Sequence, residues 1–129
     1  MLFRSNYVTA PEHFDNYRIE YDAPFRVSKN LNNVLIVGAG SGNDVAAALR
    51  AGTHHVTAVE IDPTILRIGK EMHFEGPYSD SGRVEQVVQD ARSFFRRDDD
   101  KYDLIVFGRL DSHTLLSTAS SVQIGRAHV

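Results

Sequence analysis

From Asn33 to Phe107, short apolar runs alternate with longer stretches in which apolar residues recur at helical spacing. Val34-Leu35-Ile36-Val37 is an unbroken apolar run closed by glycines, the pattern of a strand buried on both faces. Asp44 to Ala51 is alanine-rich and reads as a helix, with Gly52 as its stop. His55 to Ile61 is a second strand rich in β-branched residues, and Pro63 suits the first turn of a helix running to about Met72. A loop with Gly76, Pro77 and Gly82 follows. Next come a strand from Val84 to Val88, a short helix from Ala91 to Arg96 and a strand from Tyr102 to Phe107. Strands alternating with helices predict a parallel sheet covered on both faces. The fold class is therefore α/β, a Rossmann-like three-layer sandwich that stops after its fourth strand. The apolar stripe of Val45, Leu49, Ile65 and Leu66 reads as core.

Residues 6–32 are polar and aromatic, with Tyr7, Phe14, Tyr17, Tyr21 and Phe25. They read as a lead-in covering a sheet edge or part of a cleft. The extreme ends read differently. Ile124-Gly125-Arg126-Ala127-His128-Val129 is the translation of ATC GGA AGA GCA CAC GTC, a string from a short-read sequencing adapter. Its reverse complement contains GTG CTC TTC CGA TCT, a start followed by Leu-Phe-Arg-Ser, and the chain begins Met1-Leu2-Phe3-Arg4-Ser5. Residues 1–5 and 123–129 are thus expected to be adapter translation that packs against nothing. That leaves 33–122 as a partial cofactor-binding domain with both natural ends missing.

Composition narrows the function classes. The 129 residues, 42% hydrophobic and 24% charged, suffice for one domain with a modest core. A net charge of −3 gives no basic face for nucleic acid. With no cysteine, disulfides, thiolate catalysis and cysteine-based zinc sites are excluded, and a cytoplasmic location is the expectation. No run approaches the roughly 18–20 apolar residues that cross a bilayer.

The chemistry gathers at the strand ends. Gly38-Ala39-Gly40-Ser41-Gly42 joins the first strand to the first helix, where glycine lets backbone approach a ligand and helix N–H groups face it. Glu60 lies 22 residues beyond Gly38 at the end of the second strand, where a carboxylate can accept both hydroxyls of a ribose. Asp90, after the third strand, can cap the next helix and also accept from an adenine amino group. Asp62, followed by Pro63, is better explained as a cap alone. The dinucleotide fingerprint wants a third glycine where Asn43 stands, and Asp44 in the first helical turn would repel a pyrophosphate. A cofactor without phosphates that carries a sulfonium fits better.

Taken together, Val34 to Leu49 (VLIVGAGSGNDVAAAL), Val59-Glu60-Ile61-Asp62, Gln89-Asp90-Ala91 and Tyr102-Asp103-Leu104-Ile105-Val106 resemble the spermidine synthase branch of the class I methyltransferase fold. Asp111-Ser112-His113-Thr114-Leu115-Leu116-Ser117 further resembles the members whose domain follows a multi-span membrane region. The resemblance implies S-adenosylmethionine or its decarboxylated form as cofactor. Gly38, Gly40, Gly42, Glu60, Ile61, Asp90 and Ala91 would line its site. It also implies aminopropyl or methyl transfer to a small acceptor, and the cytoplasmic side of a membrane-fused parent as a further location. One departure leaves the transferred group open. Spermidine synthases carry an aspartate at the end of the fourth strand as base for the attacking amine, and Gly108 aligns with it here. Restoring aspartate there would then be expected to raise aminopropyl transfer.

Asp111 aligns with the second acid of that motif, and Asp111 and His113 are the remaining candidates for catalysis. No metal site is read: His54 and His55 are adjacent on a strand and point opposite ways. The rival readings are a non-catalytic module that binds S-adenosylmethionine as a sensor and, opposed by Asn43, an NAD-dependent oxidoreductase.

Overall fold

The computed structural model describes residues 14–28, 31–108 and 124–125. Its elements in chain order are α1 (Phe14–Arg26), β1 (Asn33–Val37), α2 (Asn43–Arg50), β2 (His55–Glu60) and α3 (Pro63–Met72). A 3-10 turn at Pro77–Ser79 precedes β3 (Val84–Val88), α4 (Ala91–Arg97), β4 (Leu104–Phe107) and β5 (Ile124–Gly125). The sheet order is β3-β2-β1-β4-β5, with β1 to β4 mutually parallel. This is the Rossmann-like α/β fold that the alternating pattern predicts.

Strand alternation sorts the core into two layers, because successive side chains leave opposite faces of the sheet. Val34, Ile36, Val56, Ala58, Leu104 and Val106 face one side, packed with Tyr21 and Phe25 of α1, Val45, Ala47 and Ala48 of α2, and Leu66 of α3. Leu35, Val37 and Val59 face the other, against Phe94 of α4 and Tyr102. Val34, Leu35, Ile36 and Val56 are wholly buried, each stabilising the fold by about 1.5–3 kcal/mol. Asp103 fixes the start of the central pair: its Oδ2 accepts the N–H groups of Asn32 and Asn33, each at 2.9 Å.

The stretch read as a polar and aromatic lead-in contains helix α1, despite Pro24 inside it. Tyr21 and Phe25, one helical turn apart, are both buried, and that anchoring outweighs the polar sequence around them. Arg50 of α2 adds to it, bonding Asp22 of α1 at 2.6 Å and Glu75 beyond α3 at 2.7 Å. At the other end, the last residues were expected to pack against nothing. Instead Ile124 and Gly125 pair antiparallel with Val106 and Ile105, because β4 would otherwise leave an unpaired edge.

Chain order reverses in this sheet between β1 and β4, which lie side by side although β2 and β3 come between them in sequence. Ligands of open α/β sheets bind beyond the strand ends at such a reversal. The segments emerging there are the glycine loop and Gly108.

Candidate functional site

Gly38, Gly40 and Gly42 all take positive φ, at 75°, 60° and 110°, a region that other residues rarely enter. Gly42 also has no room for a side chain: a Cβ would sit 2.7 Å from Pro77 Cγ and 3.1 Å from Tyr78 Cε2. Gly40 is held by both its polar groups. Its N–H donates to Glu60 Oε1 at 2.8 Å, and its carbonyl accepts from the Tyr78 hydroxyl at 2.7 Å.

Glu60 ends β2 as a buried residue, and its Oε2 accepts the Asp62 N–H at 3.0 Å. The carboxylate therefore ties the glycine loop to the turn after β2, with one backbone donor on each oxygen. Each oxygen keeps a second lone-pair site for a ligand hydroxyl. Ile61 beside it is 66% exposed, and Val88 at the end of β3 is 54% exposed, so an apolar patch borders the acid. Asp90 caps α4, accepting the Ser93 N–H at 3.0 Å, and hydrogen bonds from Ser93 hold its carboxyl below the usual range. Ala91 opens that helix. Asp62 caps α3, accepting from Thr64 N–H at 2.9 Å.

The segment from α3 through the 3-10 turn buttresses the loop, and nothing in the sequence pattern marked it. Gly69 of α3 lies against the Ser41 backbone, which any Cβ at 69 would overlap. Buried His73 meets Asn43: its Nε2 lies 2.9 Å from Asn43 Oδ1, and its Nδ1 accepts the Glu75 N–H at 3.1 Å. The ring is thus a neutral Nε2–H donor. Burial, with a smaller contribution from the Arg50 charge, pushes its pKa down to about 4. Tyr78 is buried too, and its pKa is raised by burial first, then by the charges of Glu60 and Asp44.

Gly108 does not have the space that its alignment suggests. A Cβ there would overlap the Gly38 carbonyl oxygen and lie 3.1 Å from Asp44 Oδ2. Aspartate at 108 would therefore collide with backbone at its first side-chain atom. Asp111 and His113 lie outside the described residues. Gly38, Gly40, Gly42 and Glu60 are brought together, with Ile61, Asp90 and Ala91 along the neighbouring strand ends.

Comparison with known proteins gives the family and the fold. The sequence pattern of the family described as Methyltransferase domain matches residues 34–122. A polyamine aminopropyltransferase of Lachnoclostridium phytofermentans is 30% identical over 101 residues, 77% of this chain and 36% of that protein. A spermidine synthase solved with the transition-state analogue AdoDATO superposes with a TM-score of 0.61 at 21% identity, covering 74% of this chain and 33% of that one. The SAM-dependent methyltransferase of Agrobacterium tumefaciens gives 0.57 at 19%, covering 90% and 36%. The chain spans little more than a third of the curated relative's length.

Two outcomes are expected. Gly108→Asp should destabilise the protein by about 1–3 kcal/mol, the usual cost of overpacking, with no gain in aminopropyl transfer. Urea denaturation together with a product assay checks both. The second concerns His73, whose unfolded pKa of 6.5 exceeds its folded value of about 4. Between those values the unfolded chain binds more protons, so stability is full above pH 6.5 and falls as pH drops toward 4, by roughly 3 kcal/mol at most. His73→Gln should lack this component when unfolding free energies are compared across the window.

Proposed function

The chain belongs to the methyltransferase-domain family, with a spermidine-synthase-like fold, and from that premise we propose that it forms the cofactor-binding part of a transferase using S-adenosylmethionine or decarboxylated S-adenosylmethionine. The observation that carries this reading is Glu60, buried at the strand end with one backbone donor on each oxygen and fixed against the glycine loop. It can accept ribose hydroxyls without moving. Exposed Ile61 and Val88 would offer apolar contact to a flat base, and Asp90, which caps α4 after β3, would accept from an exocyclic amine. The residues present fit the cofactor: the loop is tightly supported from behind, whereas a Cβ at Gly40 would meet only the Gly38 carbonyl, at 3.9 Å. The sulfonium supplies an electrophilic carbon when the cofactor is bound. The protein's share is then to orient that carbon toward an acceptor and to exclude water.

Gly108 bears on which group is transferred. Attack by an amine needs a neutral nitrogen, hence a base nearby, and position 108, a glycine without room for a Cβ, offers none. That favours methyl transfer, or binding without catalysis, over aminopropyl transfer by the route spermidine synthases use. If an amine is the acceptor, we assign its deprotonation or orientation to Asp111, with His113 two residues further on. The acceptor is a small molecule. Among the described residues no helix is long and apolar enough to cross a membrane, and any membrane-fused parent belongs to this proposal.

Calorimetry on the whole protein with S-adenosylmethionine, its decarboxylated form and NAD tests the assignment. Glu60→Ala should weaken binding of the sulfonium compounds by roughly tenfold to 150-fold, the loss expected for charge-assisted hydrogen bonds. Tighter binding of NAD than of either would sink it. For catalysis, Asp111→Asn should lower turnover by on the order of 10²–10⁴-fold while leaving cofactor affinity nearly unchanged. Methylthioadenosine would report aminopropyl transfer and S-adenosylhomocysteine methyl transfer. Neither product, with an Asp111→Asn variant altered only in stability, would leave the sensor reading as the better one.

A further inference from the structure

The strand ends form a ruler for whatever lies across them. In sheet order, Asp90 follows β3, Glu60 ends β2, Gly38 follows β1 and Gly108 follows β4. A nucleoside whose ribose lies at Glu60 and whose base points toward Asp90 has one direction left for its third part, over Gly38 toward Gly108. The acid found there comes from a helix. Asp44, in the first turn of α2, places Oδ2 3.1 Å from where a Cβ on Gly108 would be, and the residue is buried. Its charge reaches Tyr78, whose hydroxyl holds the Gly40 carbonyl, and contributes with Glu60 to that residue's raised pKa.

Resting on the cofactor assignment above, we propose that Asp44 determines specificity for the charged state of the cofactor, its carboxylate facing the sulfonium at the β1/β4 end of the site. A sulfonium has no N–H or O–H to donate, so it can be recognised only by charge and by fit. A carboxylate in a partly desolvated position exerts far more pull than one in bulk water. The same geometry explains why the acid stands on α2. Gly38 and Gly108 approach too closely for a side chain at 108, and the carboxylate beside that position is the one carried by the start of α2. After transfer the cofactor is a neutral thioether and this attraction is gone. Asp44 therefore strengthens substrate binding relative to product rather than lowering the chemical barrier.

The test compares S-adenosylmethionine with S-adenosylhomocysteine, which share base, ribose and amino-acid tail but differ in the methyl group and its charge. Affinities of both are measured calorimetrically for the whole wild-type protein and for Asp44→Asn. The ratio of sulfonium to thioether affinity should fall by about tenfold or more in the variant, with the thioether affinity nearly unchanged. An unchanged ratio overturns the proposal, whether both affinities hold or both fall together, since the latter is what a purely structural role would give. Asp44→Ser repeats the comparison should Asp44→Asn fail to fold, and Asp44→Glu should keep the wild-type ratio. A wild-type protein that binds neither compound would instead defeat the cofactor assignment itself, and the proposal with it.

Discussion

Gly40 is clamped through both of its backbone polar groups, and the candidate site is organised around that clamp. Glu60 takes its N–H and Tyr78 its carbonyl, at 2.8 and 2.7 Å. A loop with three positive-φ glycines loses more conformational entropy on ordering than almost any other segment of its length. Left to itself it would sample many shapes, few of which present N–H groups in one direction. Two hydrogen bonds from largely buried side chains remove that freedom before a ligand arrives, which is what preorganisation means energetically. Further supports act from behind: Pro77 against Gly42, α3 against Ser41 through Gly69, and His73 on Asn43.

This division of labour accounts for what could be read from the chain. β1 and β4 were legible because their apolar runs are continuous and close on glycine, and β2 because it is rich in β-branched residues and is followed by Pro63. Glu60 and the glycine loop were legible because spacing along one βαβ unit fixes where they meet. The buttress was not. Tyr78 contacts Gly40 across 38 residues and His73 contacts Asn43 across 30, and both sit in or beside a turn with no periodicity. Helix α1 escaped for a related reason, since two buried aromatics among charged neighbours make a weak helical stripe. Asn43 was visible only as a missing glycine, whereas in the fold it is a buried acceptor for a neutral histidine.

Gly108 shows the limit of aligning single positions. Matched letter by letter, it reads as a lost aspartate. In three dimensions it is half of a backbone contact, with the Gly38 carbonyl occupying the space a side chain would need. The absence of the acid and the presence of the contact are therefore one feature. Any account of chemistry here has to start from a closed β1/β4 junction rather than from a spermidine synthase with one residue removed.

The closed junction also redistributes charge. Two acids flank the loop, Glu60 from β2 and Asp44 from α2, and both act on Tyr78. Glu60 already receives two backbone N–H groups, so its role is geometric and its remaining capacity suits hydroxyl donors. Asp44 sits where the sheet order reverses, near a glycine that contributes no side chain of its own. A dinucleotide would bring its pyrophosphate against that same loop and meet a buried carboxylate, at a cost that grows as water is excluded. On the proposed assignment a sulfonium would meet an opposite charge at the same place, so the charge of one helix turn would favour it over a pyrophosphate.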